Sequence, residues 1–448
     1  MSKRQSKSPA SKGPSAAIVP VADTEEKMRR LHQAFDPRPL EADQTDLYVN
    51  LDEVRGEADI ATRLYRPIVY AKQPTVQLLA GHKGSGKSTE LRRLRQRLEQ
   101  GTSKFFTLLV TERDIDPNNV GFAEVLIVLL QRVAAEVELR EKIRLKPGYF
   151  AERFQQLKDL LFSEVALEKI ELPVLLGKVS ASIRHSPDAR DQLRKLLEPD
   201  TSNLLKGANE LIDEATDRLK ENGYAGLVVL FDSLDHMDDQ AQATGLFVRR
   251  ANEMTGFRCH VVYTMPLSLA YSEQLAQLSM DYGSQPPIVP MTKIHTRPPK
   301  RARHEPGYQK FREVIAARLK HAGFTEKDLF ASDAVRDTLI EVTGGQPTQL
   351  MTFVQDALIA DGLPIQSEAI ERLVRERRRD YRWLLREDWP VLEAIRQTGA
   401  FVADEKTEPI FKRLLDSRAA LHYVNHDEWY DLNPLVAQIT PPAESVAP

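Results

Sequence analysis

Eight consecutive residues, Gly81-His82-Lys83-Gly84-Ser85-Gly86-Lys87-Ser88, follow the spacing G-x-x-x-x-G-K-S/T. Glycines at these positions let a backbone wrap around an anion with its N–H groups pointing inward. The helix that would start here adds the positive end of its dipole. Lys87 is placed to reach the β- and γ-phosphates of a nucleotide, and Ser88 to ligate Mg²⁺. The binding set then runs from Gly81 through His82, Lys83, Gly84, Ser85, Gly86, Lys87 and Ser88 to Thr89. Such a loop needs a second acid at the end of a buried strand to hold the metal. "LVVLFDSLD" supplies Asp232 after five apolar residues and Asp235 three residues on. Asp232 reads as the metal acid and Asp235 as a group that orients or deprotonates water, with Asp238 and Asp239 as alternatives or simple helix caps.

The elements that must position these residues alternate. "TVQLLA" (75–80), "FFTLLV" (105–110), "GLVVLFD" (226–232), "CHVVYTM" (259–265) and "PPIVPM" (286–291) read as strands. They are continuous apolar runs with helical patterns between them, the signature of a parallel α/β sheet buried on both faces. Thr264 ends the fourth run, on a strand expected beside the loop strand, where its hydroxyl could sense a γ-phosphate. The nucleotide reads as ATP, because no Asn-Lys-x-Asp element for guanine is present.

Composition bounds the alternatives. The chain has 448 residues, too many for one ordinary domain, with 42% hydrophobic and 28% charged residues and a net charge of −3. That balance does not favour nucleic acid as the main partner. The one cysteine, Cys259, excludes a disulfide framework, and no apolar run approaches a membrane span, so the expected compartment is the cytoplasm.

The combination of "GHKGSGKST", Asp232-Ser233-Leu234-Asp235, Thr264 and "TGGQPTQL" (343–350) resembles the AAA+ superfamily. Within it the pattern is similar to the branch joining origin-recognition ATPases to the STAND signalling ATPases, NACHT proteins included. The resemblance implies a P-loop NTPase core, a helical lid in which Pro347 lies near the adenine or ribose, and a C-terminal winged helix. The expected organisation is a disordered basic tail (1–22) and a core (23–306) with a helical insert at about 119–222. A lid (307–387), a winged helix (388–440) and a short tail (441–448) follow. The Arg that often follows the sensor strand in this family is Met265 here.

Arginines that could act in trans are Arg249 and Arg250, or those of "KIHTRPPKRARHEP" (293–306); a solvated loop is the simpler reading of the latter. A helix with seven arginines is expected over 371–388. The resemblance implies an ATP- and Mg-dependent switch that controls partner proteins, in a bacterial signalling or antiviral defence module, with a nucleotide-dependent homo-oligomer. The alternative is a DNA-acting ATPase, a replication or transposition regulator, using the winged helix.

Overall fold

The computed structural model describes residues 21–41, 43–56, 59–146 and 172–440. Most of the expected N-terminal tail, the tail after 440 and residues 147–171 of the expected insert lie outside the described residues. Five parallel strands form one sheet in the order β2-β3-β4-β1-β5. They are β1 (Val76–Gly81), β2 (Phe106–Val110), β3 (Leu227–Phe231), β4 (His260–Thr264) and β5 (Ile288–Val289).

Every residue of β3 and β4 is buried, because both faces of the sheet are covered. On one face Leu79, Val228, Leu230 and Val262 pack with Leu91, Leu94 and Leu98 of helix Lys87–Gln100 and with Ile60, Leu64 and Ile68 of helix Ile60–Tyr70. On the other, Phe106, Val229, Phe231 and Tyr263 join a core with the long helices between β2 and β3. One of these, Phe122–Glu141, buries Val125 through Leu130 without a break. It lies between the sheet and a second layer of helices, Leu172–His185 and Thr201–Glu221, which is why its Val125–Leu130 stretch has no polar side. Among the described residues no helix is long and apolar enough to cross a membrane. Cys259 is buried, and burial pushes its thiol up to about 12.

Two expected elements differ. The fifth strand is only Ile288–Val289, since Pro286, Pro287 and Pro290 flank it and carry no N–H for a ladder. The arginine-rich helix stops at Arg377 and a new helix starts at Asp388. Between them Tyr381 is buried and its hydroxyl accepts from Asn433 Nδ2 at 2.9 Å, so tertiary packing overrides local helix propensity.

After β5 come helices Glu305–Ala322, Asp333–Val342, Pro347–Asp361 and Ser367–Arg377. A C-terminal unit follows: helices Asp388–Thr398 and Glu408–Asp416, then the antiparallel hairpin β6 (Ala420–Val424) and β7 (Glu428–Leu432). The hairpin is docked inward. Met291 N–H donates to His422 O at 3.0 Å, and Tyr423 donates to Gly344 O at 2.7 Å. Arg301 pairs with the buried Asp431 at 2.9 Å, and Trp429 stacks on Tyr423 with centroids 4.4 Å apart.

The turn at Gly344-Gly345 joins these parts. Gly345 has φ +77°, its carbonyl accepts from Thr292 N–H at 3.1 Å, and a Cβ there would lie 1.8 Å from Thr292 O. Gly345→Ala therefore combines a left-handed backbone with a collision against backbone. It is expected to destabilise the chain by more than about 3 kcal/mol, read as a lowered melting temperature in thermal unfolding. An unchanged melting temperature would show that the turn is not so constrained.

Candidate nucleotide-binding site

β1 delivers the chain to the C-terminal edge of the sheet at Gly81, and a helix begins at Lys87. Between them the loop turns at Gly81, Gly84 and Gly86, with φ of +150°, +83° and +105°. Space is the second reason for glycine. A Cβ on Gly86 would sit 2.8 Å from Arg55 Nη2, and one on Gly84 would sit 3.1 Å from Thr348 Cβ. Arg55 thus covers one side of the loop, where it donates to Ser85 O and pairs with Glu90 at 3.1 Å. Thr348, next to Pro347 at the start of helix Pro347–Asp361, covers another.

Lys87 is only 5% exposed, so its ammonium must be paired. Nζ donates to Gly81 O and His82 O, both at 2.7 Å, and lies 2.8 Å from Asp235 Oδ2. The lysine therefore fills the mouth of the loop that its type and position suit to phosphate. A bound phosphate would have to take it from these oxygens.

Ser88 Oγ donates to Asp232 Oδ1 at 2.9 Å. One hydroxyl and one carboxylate side by side are a hard, oxygen-only pair. They fit a magnesium ion that takes its remaining ligands from water and phosphate. Asp232 is 4% exposed and also accepts from Ser233 N–H at 3.0 Å; Arg92 Nη1 is 3.8 Å from its other oxygen. Burial, and then the charge of Asp235, hold the Asp232 carboxyl above its ordinary range. A cation at this position would relieve both.

Asp235 sits past the end of β3, turned inward by Ser233, whose φ is +75°. Its burial would raise the carboxyl, but Lys87 and His236 together outweigh burial and hold it below the usual carboxylate range. Thr264, fully buried at the end of β4, stands between β1 and β3 and accepts from Asp235 N–H at 3.4 Å. Lys87, Ser88, Asp232, Asp235 and Thr264 are thus brought to one edge of the sheet.

His82 and Lys83 face outward from the loop. Lys83 pairs with the exposed Asp238 at 3.0 Å, and His82 is buried against the C-terminal unit. A cavity of about 530 Å³ lies there, lined by Gly81, His82, Lys83 and Asp235 from the core and by Arg413 and Arg418 from the C-terminal unit. A second, of about 790 Å³, reaches Ser88, Asp232 and Arg92 from the other side. Thr89 is half-buried in the first turn of the helix.

Most of the remaining sequence candidates make structural contacts. Asp239 caps helix Gln240–Thr244 through Ala241 N–H at 2.8 Å. Arg250 pairs with Glu253, while Arg249 is exposed. In the basic loop Arg301 and Arg303 pair with Asp431 and Asp337, and Arg297 donates to Thr398 O. Arg55, Arg92 and Thr348 escaped the sequence reading. Arg55 and Arg92 reach the site from outside any motif, and Thr348 lies within "TGGQPTQL", where the motif points to Pro347 beside it.

Asp232→Asn tests the electrostatics. Burial and the neighbouring Asp235 disfavour the charged form of Asp232, so the neutral Asn variant is expected to be more stable at neutral pH without nucleotide, by about 1 kcal/mol. A raised carboxyl pKa favours the protonated folded form. The gap should therefore close as pH falls and Asp232 takes up its proton. Thermal unfolding across pH checks this; an Asn variant less stable at neutral pH contradicts it.

No protein family's sequence profile matches this chain, and no curated protein matches it. Among solved structures it is similar to the Walker-type ATPase PABY2304 of Pyrococcus abyssi. The two are 13% identical, with 90% of this chain and 98% of that one covered at a TM-score of 0.44.

Proposed function

We propose that this chain is an ATP-binding and ATP-hydrolysing switch of the STAND/AAA+ kind that controls the assembly or activation of partner proteins. One observation carries the reading. The two polar residues that open the loop helix each face an acid from β3, Lys87 against Asp235 and Ser88 against Asp232. The loop N–H groups and Lys87 would hold the β- and γ-phosphates, with Pro347 near the base or sugar. Ser88 and Asp232 would hold Mg²⁺, which when bound neutralises phosphate charge. Asp235 would then orient or deprotonate the attacking water. Its present partner is Lys87, and drawing Lys87 onto phosphate removes the charge that keeps Asp235 a weak base. Thr264 would hydrogen-bond near the γ-phosphate.

We assign 23–306 to the core, 307–387 to the lid and 388–440 to a winged helix. The alternative, a DNA-acting ATPase, gains no support from this last unit. Its hairpin strands are buried apart from the tip at 425–428, Lys412 pairs with Glu408, and Arg413 pairs with Asp388. The cytoplasmic, bacterial signalling or defence setting rests on the sequence resemblance alone.

Phosphate release at saturating Mg-ATP tests the chemistry. Asp235→Asn is expected to slow turnover at least about 100-fold while leaving ATP bound. Wild type no faster than the variant would remove the ATPase reading. Particle mass with and without Mg-ATPγS tests assembly: growth to a defined oligomer is expected, and a monomer in both states would contradict it.

A further inference from the structure

The side chain of His82 turns away from the phosphate seat and into the C-terminal unit. Its ring is buried and bonded at both nitrogens. His422 N–H in β6 donates to Nε2 at 2.9 Å, so Nε2 is an acceptor. The proton therefore sits on Nδ1, which donates to Leu415 O at 3.1 Å, near the end of helix Glu408–Asp416. One neutral imidazole thus holds a strand and a helix of the C-terminal unit. The strand contact is specific. His422 lies opposite Tyr430 in the hairpin, and its N–H and C=O both point away from β7. The carbonyl is taken by Met291 N–H and the N–H by His82. Meanwhile the His82 carbonyl accepts from Lys87 Nζ at 2.7 Å. A single residue therefore connects the phosphate-seeking lysine, through its main chain, to the C-terminal unit, through its ring.

We infer that His82 is a coupling residue: its ring pins the β6–β7 hairpin and helix Glu408–Asp416 against the phosphate loop, and the pin is loosened when phosphate draws Lys87 off the His82 carbonyl. The inference rests on the nucleotide-site reading above. It adds a direction of signalling that the loop motif does not contain. In the motif this position contributes only a backbone N–H, so a side-chain role here belongs to this chain's own packing. Burial next to His422 and Lys87 keeps the ring neutral, which preserves the acceptor on Nε2.

Hydrogen–deuterium exchange of the nucleotide-free chain, followed at peptides spanning 419–432, tests the pin. In His82→Ala the His422 amide loses its acceptor, and exchange there is expected to rise at least about tenfold. His82→Gln can place an acceptor where Nε2 stands and is expected to restore much of the protection; His82→Asn, too short to do so, is not. Should the alanine variant fail to fold, the Gln and Asn pair decides the matter. Equal, wild-type exchange in both would overturn the pin. The coupling is read separately from the association rate of a fluorescent ATP analogue with Mg²⁺. It is expected to rise about tenfold in His82→Asn and to stay near wild type in His82→Gln. Equal rates in all three proteins would overturn the coupling. Absence of analogue binding to wild type would overturn both the coupling and the nucleotide reading, while exchange would still decide the pin.

Discussion

The rest of the site depends on where the Lys87 ammonium finds its oxygens. A buried cation at this edge of the sheet cannot go unpaired, and three elements answer it: Gly81 at the end of β1, the His82 peptide of the loop, and Asp235 beyond β3. β4 lies between β1 and β3 and sets the distance across which lysine and acid meet. The same arrangement makes Asp235 an acid held ionised by a partner that phosphate would compete for. Asp232 is in the opposite condition, a carboxylate raised by burial and by its neighbour, in want of a cation. Two aspartates three residues apart are thus driven in opposite directions by what surrounds them.

Around this pair the chain closes from several sides. Arg55 lies over Gly86, Thr348 over Gly84, and the C-terminal unit against His82. Each comes from a different part of the sequence. The Gly344-Gly345 turn, which leads into the helix of Thr348, ties that helix to the hairpin through Tyr423 and to the segment after β5 through Thr292. In the proposed switch, such a site would link its own occupancy to the placement of distant helices. Phosphate that took Lys87 would free the carbonyl of His82, the residue whose ring also holds the hairpin.

Much of this was legible in the sequence. Apolar runs marked all five strands, because a sheet covered on both faces leaves no polar alternation to mislead. The glycine spacing marked the loop, and the end of "LVVLFD" marked Asp232, the acid that the structure sets against Ser88. What was not legible was non-local. Prolines cut the fifth strand to Ile288–Val289, and Tyr381 broke a helix whose composition alone would continue it. The arginines of 293–306 read as a free basic loop, yet Arg301 and Arg303 are answered by Asp431 and Asp337, far along the chain. His82 was counted for its backbone, and only the folded chain shows where its ring goes.

The central claim is that Lys87 is held in reserve for a phosphate. Calorimetric titration of the full chain with Mg-ATPγS tests it most directly, with Lys87→Ala alongside. Saturable binding by wild type is expected, weakened at least about 100-fold in the variant. No heat with wild type, or equal affinity in the two proteins, would contradict the account.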